Sequence, residues 1–256
     1  MRIPPFHWWR TVFWLIPTIA VYTIVLGSVS LASMLVDRRG NFAHKCAQAW
    51  SWLILATTSV SVQVKGLDQL DPKQPYVFVS NHQSIYDFPI LITSIPFQLR
   101  ILAKSSLRVF PVLGWHLQHT GHLLIDRSRA GRATLASVAS LMGRGHSLIL
   151  FPEGTRSING KVLRFKPGIF SLAIEANLPV VPVAVIGSRH VMRKGRLMTC
   201  PGNVELVVHQ PLSTVGLGRS DARGFSTRVH EIITDTVCLH DRVTRRTADS
   251  IVEAAG

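Results

Sequence analysis

Residues 76–94 read YVFVSNHQSIYDFPILITS, and this stretch decides the fold. Its first part, residues 76–80, is a short aromatic and β-branched run that predicts a strand. Its last part, Asp87–Ser94, has the apolar spacing of a helix, and the polar residues between the two form a turn. Short apolar runs of the same kind recur along the chain after Lys65, alternating with helical segments. This alternation predicts an α/β domain.

The other predicted elements follow the same patterns of apolar residues. The carboxyl-terminal tail, residues 220–251, has Val229, Ile232, Ile233 and Val237 at helical spacing, which predicts a closing amphipathic helix. Two further helices are predicted at residues 131–142 and 168–176. The remaining predicted strands are residues 61–64, 100–103, 123–125, 147–151, 180–186 and 204–208.

The composition excludes a disordered protein and indicates an anionic partner. The chain has 256 residues and a net charge of +14, but 47% of its residues are apolar and only 16% are charged, so it can bury a core. The basic excess fits nucleic acid, an anionic membrane or a phosphorylated substrate. Cys46, Cys200 and Cys238 lack the spacing of a disulfide framework or a zinc site, which favours a domain that faces the cytosol.

The amino-terminal region contains a predicted membrane segment. Residues 11–36 carry no charged side chain, and this run is long enough to span a bilayer as a helix. Trp8, Trp9 and Trp14 lie where an interfacial aromatic belt is expected. The alternative, a cleaved signal peptide, usually has a shorter apolar run.

A second apolar stretch, residues 46–62, is shorter and more polar. It could return across the bilayer, dip into it, lie in the interface, or form a buried helix of the α/β domain. A hairpin would return the chain to its starting side, and the basic domain that follows favours the cytoplasmic side. We therefore divide the chain into membrane-associated helices at residues 1–62 and an α/β domain at residues 63–256.

The first candidate site follows the strand at residues 76–80 and contains His82 and Asp87. On a regular helix, residues five apart lie about 140° apart around the axis, so these side chains can pair only across a turn. In such a turn the carboxylate binds one imidazole nitrogen and leaves the other free as a general base. The alternative is a plain strand-to-helix turn capped by Asn81 or Ser84.

The second candidate site, FPEGTRS at residues 151–157, also follows a predicted strand. Gly154 lets the backbone approach a ligand, and Arg156 offers a planar fork for phosphate beside the hydroxyls of Thr155 and Ser157. The alternative is a polar turn that leads to a hairpin with Asn159-Gly160 at its tip. More cations follow at Lys161, Arg164 and Lys166.

Both candidate sites follow strands, so in an open α/β sheet they are expected to meet at its carboxyl edge, where ligands usually bind. A general base beside a phosphate-binding group predicts the activation of a hydroxyl on a phosphorylated substrate.

NHQSIYD at residues 81–87 and FPEGTRS resemble the first and third sequence blocks of the glycerolipid acyltransferases, specifically the 1-acyl-glycerol-3-phosphate acyltransferase group. VPVA at residues 181–184 resembles the fourth block. The resemblance implies a mixed α/β sheet flanked by helices and preceded by an N-terminal membrane helix hairpin. The second block is resembled by Lys104, Leu107, Pro111, Gly114, Gly121 and IDR at residues 125–127.

The resemblance also implies the reaction and its residues. His82 would be the general base on the sn-2 hydroxyl of 1-acyl-glycerol-3-phosphate, and Asp87 would orient it. Acyl-CoA or acyl-carrier protein would donate the acyl group, giving phosphatidic acid without a cofactor, a metal or an acyl-enzyme. The implied acceptor-binding residues are Glu153, Gly154, Thr155 and Arg156, with Lys104, Arg127 and Lys166 as a supporting cationic shell.

Bacterial members of the family begin with membrane-associated helices, so the resemblance implies a protein of the bacterial inner membrane with its catalytic domain on the cytoplasmic face. The basic clusters at residues 193–196 and 242–246 predict solvated faces or contacts with anionic lipids. Nucleic acid is not an expected partner, because the positive charges are dispersed.

Three alternatives stay open at this point. A metal site could use His116, His119, His122 and His146, although carboxylate or cysteine ligands are missing. A non-catalytic basic membrane-binding module would have no need of a paired histidine and aspartate. Within the enzyme class, the acceptor could instead be glycerol-3-phosphate, a lyso-ornithine lipid or a lysophospholipid.

Overall fold

A computed structural model describes residues 4–37, 39–125 and 132–254. Within these ranges it contains one sheet of seven strands in the order β1-β7-β6-β2-β5-β3-β4. Neighbouring strands are parallel except for β6 and β7, so the mixed α/β sheet is confirmed. The strands are β1 (Val60–Lys65), β2 (Val77–Ser80), β3 (Leu99–Lys104), β4 (Leu123–Ile125), β5 (Ser147–Leu150), β6 (Val180–Ile186) and β7 (Gly202–Val208).

Helices lie before the sheet and between its strands. A π-helical turn, Thr11–Leu15, joins α1 to α2, so that Phe6–Ser33 is one continuous helix. The described helices are α1 (Phe6–Arg10), α2 (Ile16–Ser33), α3 (Asn41–Thr58), α4 (Asp87–Ser94), α5 (Leu113–His119), α6 (Arg132–Gly143), α7 (Pro167–Glu175), α8 (Ser188–Val191) and α9 (Ala222–Ala254).

The predicted strands and helices of the α/β domain are confirmed to within about three residues at each end, the usual spread of such boundaries. Helices α5 and α8 were not predicted from the sequence. α5 has seven residues and α8 has four, so neither is long enough to show a clear helical period.

β2 lies in the middle of the sheet and is buried on both faces. Successive side chains of a strand point to opposite faces, so Val77 and Val79 enter one core while Phe78 enters the other. The first core includes Phe170 and the second includes Ile90. A strand covered on both faces is apolar at every position, which explains the VFV run at residues 77–79.

The N-terminal helix pair consists of Phe6–Ser33 and α3. Phe6–Ser33 is the one helix in the described ranges that is long and apolar enough to cross a membrane, and many of its apolar side chains are exposed. α3 packs along it, with the Tyr22 hydroxyl 3.1 Å from Thr57 Oγ1 and the Trp50 ring N–H donating to Thr23 Oγ1 at 2.9 Å. The predicted hairpin is therefore present in the fold.

The predicted second membrane segment, residues 46–62, is wrong in its bounds. The helix begins earlier, at Asn41, and ends at Thr58, and the strand β1 begins at Val60. Ser59 separates them with a φ of 58°, a left-handed conformation that ends the helix. From Val60 onward valines alternate with polar residues, which is a strand pattern. The apolar run thus contains both a helix end and a strand start.

α3 also belongs to the core of the α/β domain. Its Ile54 and Leu55 are buried in the same core as Phe78, on the side away from the exposed face of the helix pair. The predicted division at residues 62 and 63 falls inside β1, which pairs with β7 along its whole length from Val60 to Lys65. The division into two domains stays a prediction.

A cluster of basic side chains lies where the helix pair meets the sheet. We call Arg100, His44, His116, His122 and His146 the histidine cluster. Arg100 is only 2% exposed, and its guanidinium donates to the backbone carbonyl of Arg39 in the helix connection at 3.3 Å. Burial and the nearby guanidinium lower the pKa of His44, His116 and His146 to about 4, and they also hold the pKa of His122 well below its usual value. The histidines are therefore neutral at pH 7.

No group of three or more histidine, cysteine, aspartate or glutamate side chains within the described ranges is arranged to hold a metal ion. His116 Nδ1 lies 2.8 Å from Ser30 Oγ, and His122 Nδ1 accepts the backbone N–H of Ile101 at 3.0 Å. These histidines therefore link the helix pair, α5 and β3 through hydrogen bonds.

The histidine cluster predicts a loss of stability in acid. The unfolded chain binds protons at the ordinary histidine pKa of 6.5, whereas the folded chain resists protonation until about pH 4. The free energy of unfolding should therefore fall as the pH drops from 6.5 toward 4, by up to about 1.4 kcal/mol per pH unit for each histidine. His146→Gln should flatten this dependence in urea unfolding curves measured between pH 7.5 and 4.5.

Exposed His119 supplies the matched control, since its ring lies on the surface of α5. His119→Gln should keep the wild-type pH dependence. Equal slopes for both variants would show that His146 does not contribute to the loss of stability in acid.

Candidate active site

His82 and Asp87 meet across the turn between β2 and α4. Asp87 is the first residue of α4 and is fully buried, and its Oδ2 atom accepts the His82 Nδ1–H at 2.8 Å. The same oxygen accepts the backbone N–H groups of Gln83 at 2.7 Å and Ser84 at 2.9 Å. The turn thus folds around the carboxylate, and the predicted placement of the two side chains is observed.

This pairing determines which nitrogen of His82 can act as a base. Because Nδ1 donates to Asp87, Nε2 keeps its lone pair for a proton. The His82 side chain is 21% exposed, and its ring stacks on Phe151 with centroids 4.2 Å apart. The imidazole is therefore fixed at one nitrogen and one face while its other nitrogen stays available for chemistry.

Asn81 attaches the start of this turn to the neighbouring strand. It is fully buried, and its side-chain amide donates to the Val185 carbonyl at 2.9 Å and accepts the Val185 N–H at 2.8 Å. The amide therefore takes the place of a peptide group at the point where the backbone of β2 leaves β6. The geometry explains an asparagine at this position, since its amide both donates and accepts.

Glu153 connects the two candidate sites. It is only 4% exposed, and its Oε1 accepts the backbone N–H of His82 at 2.7 Å while its Oε2 accepts that of Leu163 at 3.0 Å. The backbone N–H of Ser157 also donates to the His82 carbonyl at 2.8 Å. Both carboxylate oxygens of Glu153 are thus bound to backbone groups of the loops.

The environment of Glu153 opposes its ionisation. Burial raises the pKa of this carboxyl to about 7, although the N–H groups of His82 and Leu163 act in the opposite direction. A carboxylate that accepts at both oxygens matches two N–H donors, so the ionised form fits the geometry best.

Glu153→Gln should place an amide NH2 group against one of these two N–H donors. We expect the free energy of unfolding to fall by about 1–3 kcal/mol because a buried donor loses its acceptor. The turnover number of the reaction predicted from the sequence should fall while both KM values stay near wild type, since the side chain binds backbone groups. Steady-state kinetics and urea unfolding check this.

The control is Glu175→Gln on α7, whose carboxylate lies 3.4 Å from the exposed Arg219 guanidinium at the surface. Its kinetics and stability should stay close to wild type. A Glu153→Gln variant that behaves like this control would contradict the role of Glu153 in holding the loop of His82.

The FPEGTRS loop follows β5 and exposes polar groups beside this turn. Gly154 has a φ of 76°, a conformation that favours glycine, and Thr155 is exposed while Arg156 is half-buried. Lys166 is exposed and precedes α7, and its backbone N–H donates to the Pro152 carbonyl at 3.1 Å. The FPEGTRS loop therefore begins at the same edge of the sheet as the turn of His82, because β5 and β2 are parallel neighbours.

Two predicted residues of the cationic shell, Lys104 and Arg127, have no described side-chain contacts. Lys104 is the last residue of β3, which pairs with β5 in the sheet. Arg127 lies outside the described residues. Lys161 and Arg164 are exposed on the connection between β5 and α7.

The segment after β6 reaches this loop but was not identified as part of the site from the sequence. Lys194 Nζ donates to Thr155 Oγ1 at 2.7 Å and to the Arg156 carbonyl at 3.0 Å. The Arg189 guanidinium donates to the Ile158 carbonyl at 3.0 Å. The only signal in the sequence was the basic cluster at residues 193–196, which fits a solvated surface equally well.

The chain is similar in sequence to known proteins. The acyltransferase family model matches residues 61–186. A 1-acyl-sn-glycerol-3-phosphate acyltransferase alpha from Mus musculus is 35% identical over 180 residues, which are 68% of this chain and 63% of that protein. A 1-acyl-sn-glycerol-3-phosphate acyltransferase from Chlamydomonas reinhardtii is 36% identical over 156 residues, 59% of this chain and 46% of its own length.

A solved structure has the same fold. The 1-acyl-sn-glycerophosphate (LPA) acyltransferase PlsC from Thermotoga maritima superposes with a TM-score of 0.72 at 27% sequence identity. The superposition covers 88% of this chain and 95% of that one. The chain spans about half to two thirds, 46% to 63%, of the length of the curated relatives that it matches.

Proposed function

We propose, from the match of the acyltransferase family model to residues 61–186 and the likeness to the solved acyltransferase structure, that the chain is a member of this family and transfers a fatty acyl group to the sn-2 hydroxyl of 1-acyl-glycerol-3-phosphate (lysophosphatidic acid), giving phosphatidic acid. The observation that carries this proposal is the contact between the two candidate sites. His82 is bound to Asp87 through Nδ1 and to Glu153 of the FPEGTRS loop through its backbone N–H. A base and a phosphate-binding loop therefore share one sheet edge.

In this mechanism His82 Nε2 removes the proton from the acceptor hydroxyl while the oxygen attacks the thioester carbonyl of the donor. Asp87 holds the ring and stabilises the imidazolium that forms, as the aspartate of a serine–histidine–aspartate triad does. When the tetrahedral intermediate collapses, the thiol of the donor leaves and takes the proton from His82. We propose acyl-CoA or acyl-carrier protein as the donor, and the reaction uses neither a cofactor nor an acyl-enzyme.

We propose that the acceptor phosphate binds at the FPEGTRS loop. Arg156 can hold a phosphate with two parallel N–H bonds, and Gly154 allows the backbone to come close. The cations Lys104, Arg127 and Lys166 would add to the positive field. Glu153 supports this site through the backbone of the loops, because its two oxygens are already bound.

The proposed location is the cytoplasmic face of a bacterial inner membrane. The exposed apolar side chains of Phe6–Ser33 support its insertion into lipid. The net charge of +14 favours a cytoplasmic surface with anionic lipids, because basic residues stay on that side. The helix pair would bring the sheet close to an acceptor that is itself a membrane lipid.

The test uses isolated membranes that contain the full chain. Lysophosphatidic acid and labelled oleoyl-CoA or oleoyl-acyl-carrier protein are supplied, and labelled phosphatidic acid is measured. Parallel reactions use glycerol-3-phosphate, a lyso-ornithine lipid or lysophosphatidylcholine as the acceptor. Faster product formation with lysophosphatidic acid than with the other acceptors supports the proposal. A higher rate with another acceptor would show that this other compound is the preferred acceptor. If no labelled product forms with any of these acceptors, the proposal is contradicted.

A further inference from the structure

Lys194 contacts the FPEGTRS loop from a segment outside the four sequence blocks. Its ammonium donates to Thr155 Oγ1 at 2.7 Å and to the Arg156 carbonyl at 3.0 Å. An ammonium has three N–H donors, so these two bonds leave one donor for a ligand. The contact therefore places a positive charge one hydrogen bond away from the residues proposed to bind the acceptor phosphate.

In the part of the chain that the structure describes, no carboxylate neutralises the charge of Lys194. Within the described ranges, the ion pairs closer than 4.0 Å involve Asp87, Glu175 and Glu205, and none of them includes Lys194. The neighbouring charges in the loop are positive, because Arg156 and Lys161 lie nearby in sequence. A cation held beside other cations without a carboxylate is a suitable partner for a dianion such as a phosphate monoester.

The segment that carries Lys194 is fixed to both candidate sites. The Ser84 hydroxyl donates to the Met192 carbonyl at 2.8 Å, two residues before Lys194. On the other side, the Arg189 guanidinium donates to the Ile158 carbonyl at 3.0 Å. The Cys200 N–H donates to the Val191 carbonyl at 2.8 Å, which closes the segment. These bonds hold the backbone of the segment beside both candidate sites, and the ammonium itself is held by Thr155 and Arg156.

We propose that Lys194 is a further ligand for the phosphate group of the acceptor and that it also positions Thr155 and Arg156 for that group. The proposal rests on the proposed function, since it adds a residue to the same site. Its chemical claim is narrower: the side chain recognises a phosphate monoester and does not act on the acyl donor.

The test compares Lys194→Met and Lys194→Arg with Arg193→Met, a neutralising change at an exposed neighbour. Lys194→Met should raise the KM for lysophosphatidic acid by about 10- to 100-fold and leave the KM for oleoyl-CoA unchanged, since a hydrogen bond to a charged group is lost. Lys194→Arg should recover most of this loss because the charge is kept. Arg193→Met should resemble wild type.

A second acceptor separates phosphate recognition from general support of the active site. Monoacylglycerol has the same hydroxyl but no phosphate, so the ratio of kcat/KM for lysophosphatidic acid to that for monoacylglycerol measures phosphate recognition. Lys194→Met should lower this ratio by about 10-fold or more, whether the ammonium binds the phosphate or positions Arg156 for it. If Lys194 has neither role, both acceptors lose activity by the same factor, and an unchanged ratio would overturn the proposal.

A binding measurement distinguishes this proposal from the proposed function. Titration calorimetry with glycerol-3-phosphate on the purified full chain in detergent requires no turnover. Weaker binding by Lys194→Met than by Arg193→Met supports the phosphate ligand even if lysophosphatidic acid is not acylated. Equal affinities in the two variants, or no binding by wild type, would overturn it.

Discussion

We expect His82→Ala to lower acyl transfer to lysophosphatidic acid by about 10²- to 10⁴-fold, the usual contribution of a general base. The variant should remain folded, because the side chain is part-exposed and the turn is also held through the backbone N–H of His82. The KM for lysophosphatidic acid should change little, since the phosphate contacts are made by other residues. Initial rates of phosphatidic acid formation and urea unfolding measure both effects.

His119→Ala is the matched control for this change, because it removes an exposed histidine from the surface of α5. The control should keep the wild-type rate. If His82→Ala keeps more than about a tenth of the wild-type rate, His82 is not the general base, because even the smallest usual contribution of such a group is larger.

Asn81→Asp should lower the free energy of unfolding by about 2–5 kcal/mol, because it replaces a buried amide donor with an acceptor. One oxygen of the new carboxylate can still accept the Val185 N–H, but the other lies where the amide now donates to the Val185 carbonyl. Two acceptors then face each other without water. The start of the His82 turn loses its attachment to β6, so activity should fall as well.

Asn203→Asp is the control for this prediction. Asn203 is exposed, and its side-chain oxygen accepts the Ser61 hydroxyl at 2.6 Å, a bond that a carboxylate can keep. Urea unfolding of both variants in one detergent should give Asn203→Asp nearly the wild-type free energy of unfolding. Equal losses in the two variants would mean that the buried amide pair of Asn81 does not stabilise the fold.

The local parts of the site could be predicted from the sequence because their causes are local. The apolar run at residues 77–79 is buried on both faces and therefore shows its strand character at every position. His82 and Asp87 lie five residues apart, so a single turn brings them together. Gly154 was predicted to let the backbone approach a ligand, and the structure adds that its φ is positive, a conformation that favours glycine.

The contacts between distant residues could not be predicted, because the order of strands in the sheet creates them. Asn81 binds Val185, 104 residues later, only because β2 lies beside β6. Lys194 binds Thr155, 39 residues away, because the segment after β6 crosses the loop after β5. Neither pair has a periodic signal, and the basic cluster at residues 193–196 does not indicate which loop Lys194 contacts. The antiparallel pairing of β6 with β7 likewise depends on the whole sheet.

The pairing of β1 with β7 has a consequence for the order in which the chain is made. β1 ends at Lys65, but its ladder partner begins at Gly202, so at synthesis rates of about 5–20 residues per second the ribosome needs roughly 7–27 s to supply it. Until then β1 lacks its neighbour in the sheet, and the exposed apolar side chains of Phe6–Ser33 already need an environment away from water. A bilayer that receives the first helix during translation would protect the nascent chain from aggregation and hold its amino-terminal end in place while the last strand is completed.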